Sequence, residues 1–145
     1  MNLFGVMEVS GSALGAQRQR AEVVAANLAN AETTRTEEGG PYQRKQVVFG
    51  TRGPQFRYAL ASSQAGSSRI RGVEVRAVVA DPSPAIMRYQ PGHPDADAQG
   101  FVAYPNVNPV TEMVDLMSAS RSYEANASAV GVAKQMISQS LDLLR

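Results

Sequence analysis

The chain has 145 residues, a formal net charge of +1, no cysteine, no tryptophan and 6% aromatic residues. That length suffices for one core, while the near-zero charge gives no global pull towards nucleic acid or a membrane surface. The missing cysteines exclude disulfides and thiolate metal sites, and no apolar run reaches the roughly 18 residues that read as a membrane span.

From Leu3 the pattern is helical. Met7, Leu14, Ala21 and Leu28 recur at one heptad spacing, with Val24 on the adjoining stripe. Gly5, Gly11 and Gly15 interrupt the first half, each weakening it by about 1 kcal/mol relative to alanine, so this half needs a partner to hold it. The helix is expected to stop near Asn30, where the residues from Asn27 to Thr34 favour caps and turns. There is no basic n-region, and Glu8 sits inside the apolar stretch. A cleaved secretory signal is therefore not expected.

In the middle, residues 35–107, the period changes to two. Lys45–Phe49, Gln55–Tyr58 and Val73–Val79 read as strands, and Ala61–Ser68 as a flexible loop by composition. Six of the eight prolines lie between Pro82 and Pro109. That segment should be extended, with at most short strands at Ile86–Tyr89 and Phe101–Tyr104.

Three constellations here bear on chemistry. His93, Asp95 and Asp97 would share one face if extended and could offer metal ligands, but Pro94 disturbs the strand and no second histidine exists. Arg44, Lys45, Arg52, Arg57, Arg69 and Arg71 interleave with Tyr42, Phe49, Phe56 and Tyr58, with no acidic residue from Gly39 to Val73. That block could line a single-stranded nucleic-acid groove, or be the basic surface of a small sheet with an aromatic core. Finally, one histidine and no cysteine leave nucleophile–base chemistry nothing to rest on, so an enzyme is not expected.

The last element starts at Asn108, a good N-cap, with Pro109 at the first helical position and Glu112 and Asp115 in the first turns, and it runs to Arg145. Met113, Leu116, Tyr123, Ala127, Val130, Ile137, Leu141 and Leu144 form a seam with a coiled-coil period, broken at Ser120 and Lys134. The remaining positions are largely small: Ser118, Ala119, Ser122, Ala125, Ser128, Ala129, Ala133 and Ser138. An outer face so poor in charge reads as packed on a second side, the alternative being a lone amphipathic helix on a globular core. The two terminal helices should pair, since roughly 30 residues make a rod about 45 Å long. The expected class is α+β, with a helical segment at 1–34, a β-rich module at 35–107 and a long helix at 108–145.

Particular runs carry a family likeness. They are Ala26-Asn27-Leu28-Ala29-Asn30 with Thr33-Thr34, Glu38 to Tyr42 with Arg44-Lys45, Asp81 to Pro84, Pro91 to Asp97, Gly100 to Asn108, Glu112 to Asp115, and Tyr123 to Asn126. In this order the chain resembles the bacterial flagellar rod and hook axial proteins. That resemblance implies a non-enzymatic, cofactor-free subunit whose terminal helices pair and line the inner tube of the rod, with the central segment outside. It also implies export through the flagellar type III apparatus. The implied partners are further copies, the rod proteins FlgB, FlgF and FlgG, and the adaptor FliE, with no nucleic acid. On this view His93, Asp95 and Asp97 are scaffold residues. The expected assembly contacts are Leu14, Val24, Asn27, Leu28 and Asn30 on the first helix, and Met113, Met117, Tyr123, Val130, Ile137, Leu141 and Leu144 on the last. Order in these ends is expected to depend on neighbours.

Overall fold

A computed structural model describes residues 3–52 and 72–142. The expected strand Gln55–Tyr58, the Ala61–Ser68 loop, Arg57, Arg69, Arg71, Leu144 and Arg145 lie outside the described residues. Two long helices flank four short strands: α1 (Leu3–Ala29), β1 (Lys45–Thr51), β2 (Val73–Ala80), β3 (Ile86–Tyr89), β4 (Phe101–Tyr104) and α2 (Pro109–Asp142). This is the expected α+β class. Among the described residues, no helix is long and apolar enough to cross a membrane.

The caps are local chemistry. Asn108 Oδ1 accepts the N–H groups of Val110 at 3.0 Å and Thr111 at 3.4 Å, satisfying donors that have no carbonyl partner at a helix start. At the end of α1, Asn30 donates its side-chain amide to Ala26 O at 2.9 Å and accepts the Thr33 hydroxyl at 3.1 Å. The chain therefore turns where its cap-forming residues begin. α1 runs through Gly5, Gly11 and Gly15 without a break.

β1 pairs with β2. Arg52 N–H bonds to Gly72 O at one end and Asp81 N–H to Arg44 O at the other, an antiparallel arrangement. β3 and β4 are antiparallel, with Ile86 opposite Tyr104 and Tyr89 opposite Phe101. Residues directly opposed share a face. Val102 and Tyr104 are buried on the face they share with Ile86 and Arg88, which are themselves exposed, and the other face carries exposed Met87, Tyr89 and Phe101 with half-buried Ala103. Gly100 leads into β4 at a φ of +83°, where a Cβ would lie 2.9 Å from the Tyr89 ring. Only glycine meets both conditions.

The chain divides into two compact units. One comprises the described residues of Met1–Gln19, Val48–Ala77 and Ser120–Arg145. Among the described residues its buried ones are small: Ser10, Ala16, Gly72 and Ala133. In the same unit Ser12 Oγ accepts Val73 N–H at 2.9 Å and donates to Val9 O at 2.7 Å, anchoring the start of β2. The other unit comprises Arg20–Val47 and Val78–Ala119. Its buried apolar residues include Val24, Val102, Tyr104, Pro105, Val107 and Ala119, and its buried polar residues are Asn27 and Glu112.

The covered stripe of α2 differs from the expected seam. Ala119 and Ala133, placed by the sequence on the outer face, are buried, while the seam residues Met113, Tyr123 and Leu141 are exposed. Half-buried Leu116, Ser122, Asn126, Ala129, Val130 and Ile137 complete the covered side. Heptad spacing locates an apolar stripe, but it does not say whether that stripe faces its own chain.

Candidate functional site

Within the unit containing Arg20–Val47 and Val78–Ala119, four segments meet at one polar node. Asn27 is fully buried and uses all its hydrogen-bonding capacity. Its Nδ2 donates to Lys45 O at 2.8 Å and to Glu112 Oε2 at 3.0 Å. Its Oδ1 accepts Lys45 N–H at 2.9 Å and the Tyr42 hydroxyl at 3.0 Å. Towards Lys45 the side-chain amide behaves like one residue of a neighbouring strand, meeting both backbone groups.

Glu112 is also fully buried. Its Oε1 accepts from Arg44 Nε and from a terminal guanidinium nitrogen, each at 2.7 Å. Arg44 lies a further 3.8 Å from both Asp81 and Asp115. Arg20 donates to Asp115 at 2.8 Å. Since Arg20 and then Asn27 meet Asp115 and then Glu112, α1 and α2 run antiparallel across this node. Paired charges of this kind tolerate burial where single ones do not.

Two ionisation equilibria are displaced here. Burial raises the Tyr42 phenol above its ordinary value, and the negative Glu112 nearby adds to the effect. Asp81 is held below the usual carboxylate range, chiefly by hydrogen bonds from the Ser83 hydroxyl and N–H, with Arg44 and Gln46 assisting.

Beside the node the first three turns of α2 are inside-out. At about 100° per residue, Val110, Met113, Val114 and Met117 fall on one face, and they are 69%, 52%, 61% and 55% exposed. The opposite, covered face carries Glu112, Asp115, Leu116 and Ala119. Burying four large apolar side chains would stabilise a fold by about 6–12 kcal/mol. This unit forgoes that and buries a carboxylate instead.

The structure brings Asn27 into the node, with Val24 buried in the same unit, while Leu28 and Asn30 are half-buried. Leu14, Val130 and Ile137 are half-buried in the other unit, where Tyr123 and Leu141 are exposed. The sequence reading did not identify Glu112, Arg44, Tyr42, Asp115 or Arg20 as a cluster. Glu112 read as a first-turn acid favoured by the helix dipole, and Arg44 as part of a basic surface, whereas here it is held by carboxylates. The pairs Arg44–Glu112, Asn27–Glu112 and Arg20–Asp115 span 68, 85 and 95 residues, so no local pattern reports the pairing.

His93, Asp95 and Asp97 serve turns. His93 Nδ1 accepts Asp95 N–H at 3.1 Å, Asp95 accepts the Thr34 hydroxyl at 2.8 Å, and Asp97 Oδ1 accepts the N–H groups of Gln99 and Phe101 at 2.8 Å each. Among the described residues no group of three such side chains could hold a metal ion.

Comparison with known proteins bears on both ends of the chain. A family model described as "Flagella basal body rod protein" matches residues 7–35. A second, described as "Flagellar basal body rod FlgEFG protein C-terminal", matches residues 98–143. Together these hold both helical contributors to the node. The chain is 44% identical to the flagellar basal-body rod protein FlgC of Bacillus subtilis over 148 residues, covering 99% of each chain. It is 43% identical to FlgC of Salmonella typhimurium over 143 residues (99% of this chain, 98% of that one). Against FlgC of Borreliella burgdorferi it is 39% identical over 151 residues, covering 100% of this chain and 99% of that one. Identity at this level along the whole length is enough to place it: the chain belongs to the FlgC family of flagellar basal-body rod proteins.

Proposed function

We infer that this chain is a non-enzymatic structural subunit of the flagellar basal-body rod, joined to its neighbours through apolar helix surfaces. The observation that carries the reading is the exposed stripe Val110, Met113, Val114 and Met117 on a helix start whose covered side holds the acids Glu112 and Asp115. Such a stripe is stable in water only at a cost, and a neighbour would cover it. On this reading the further assembly contacts are Leu28 in the same unit and, in the other unit, the exposed Tyr123 and Leu141 with the half-buried Leu14, Val130 and Ile137. A contact that joins one face to a different face of the next copy builds a helical tube or fibre when its rotation does not close into a ring. The partners proposed are further copies, FlgB, FlgF, FlgG and FliE, with delivery by the flagellar type III apparatus to a rod crossing the periplasm.

The test is a stripe variant, Met113→Gln with Met117→Gln, expressed in a bacterium lacking its own copy of this protein. The purified variant should unfold at the same denaturant concentration as the parent, because the replaced side chains touch solvent. It should fail to restore rods and swimming. Normal rods and motility from the variant would defeat the assembly reading.

A further inference from the structure

We propose that the Asn27–Arg44–Glu112 node is a facing lock, which holds the start of α2 rolled so that its apolar stripe points outward. Water favours the opposite roll, with Val110, Met113, Val114 and Met117 turned in and the acids turned out. Three features of the node oppose it. Glu112 is fully buried and grips Arg44 with two bonds at 2.7 Å. Asn27, itself fully buried, ties that carboxylate to the Lys45 backbone through bonds of 2.8–3.0 Å. Asp115 is fastened to Arg20 at 2.8 Å on the same side of the helix. A half-turn of α2 would take Glu112 and Asp115 away from Arg44, leaving it Asp81 at 3.8 Å, and would free the Asn27 N–H that Glu112 accepts. The network therefore selects one face rather than simply joining two helices. Asn27, Arg44 and Glu112 are on this view positioning residues, acting on the stripe without being part of it.

The lock rests on the assembly reading only for its consequence, and it is testable in the dilute, unassembled chain. Because the parent contains no cysteine, single cysteines at Met113→Cys, Met117→Cys and Ala119→Cys report which face is open to a water-soluble maleimide. With the node intact, positions 113 and 117 should react about tenfold or more faster than position 119. In an apolar node, Asn27→Leu with Arg44→Met and Glu112→Leu, the order should reverse. The milder Glu112→Gln, which keeps the side chain's shape, should move the ratio the same way by a smaller factor. An unchanged ratio in both backgrounds, with helix content retained, overturns the proposal. So does equal reactivity at all three positions with loss of helical circular dichroism, which would make the node a requirement for the helix and not for its facing. If the ratios reverse but the stripe variant above still builds rods, the lock stands and the assembly reading falls.

Discussion

The two stretches of α2 on either side of Ser120 solve one problem in opposite ways. Before it, the covered face is secured by charge: Glu112 and Asp115 are held by Arg44 and Arg20. After it, charge is absent from the covered face, which has Ala133 buried and small or polar Ser122, Asn126 and Ala129 half-buried beside Val130 and Ile137. Large apolar residues stand outward in both: Met113 and Met117 in the first, Val132, Met136 and Leu141 in the second. The contrast shows that an apolar exterior can be supported from beneath either by a paired network, which fixes geometry, or by alanine and serine, which permit close approach. The first should be brittle towards single changes and the second tolerant of all but bulk.

The largest test of that contrast is Glu112→Leu, which leaves Arg44 with only Asp81 and Asp115, each at 3.8 Å. Removing one partner of a buried pair costs about 3–5 kcal/mol, and the two remaining acids put this case near 3 in urea unfolding. A loss below 1 kcal/mol would show that the node is incidental. Next comes bulk in the other stretch. Ala133→Leu should cost about 1–3 kcal/mol by overpacking, whereas Ala133→Ser should change little. Asn108→Ala, which deletes the cap common to both arguments, should cost about 1 kcal/mol and lower helix content near Val110 first. Gly131→Ala should go the other way, because nothing lies within 4 Å of the added Cβ. It should stabilise the isolated chain by about 1 kcal/mol, and a loss would mean that this face is already covered.

The smallest expected effects are pH dependences confined to the charged stretch. The raised Tyr42 phenol binds its proton more tightly in the folded chain. Its contribution is complete below the ordinary phenol value of about 10 and is lost as pH climbs through the folded value. Tyr42→Phe should flatten that alkaline decline. Asp81 has the opposite sign: its lowered value makes a contribution present above the usual carboxylate range and lost as pH falls through the folded value. Asp81→Asn should flatten the acid limb.

Much of this architecture was legible along the chain. The Asn108–Pro109 start of α2, the stop of α1 at Asn30, and the strands at Ile86–Tyr89 and Phe101–Tyr104 rest on caps, prolines and alternation, which act over a few residues. The order of the motifs also pointed to the flagellar family. Less legible was the inner side of each helix. The seam through Met113 and Tyr123 has the period of a core stripe, yet these residues are exposed, and Ala119 and Ala133 are buried in place of them.

What the sequence determined by itself, then, was, among the described residues, which form helices and strands, about where those end, and that both helices carry more apolar surface than a solvated exterior wants. Tertiary structure alone decided which way α2 turns. That choice depends on Glu112 finding Arg44 and Asn27, and on Asp115 finding Arg20, across separations that no periodicity spans. A carboxylate can be buried only where its partners converge, and convergence is a property of the folded chain.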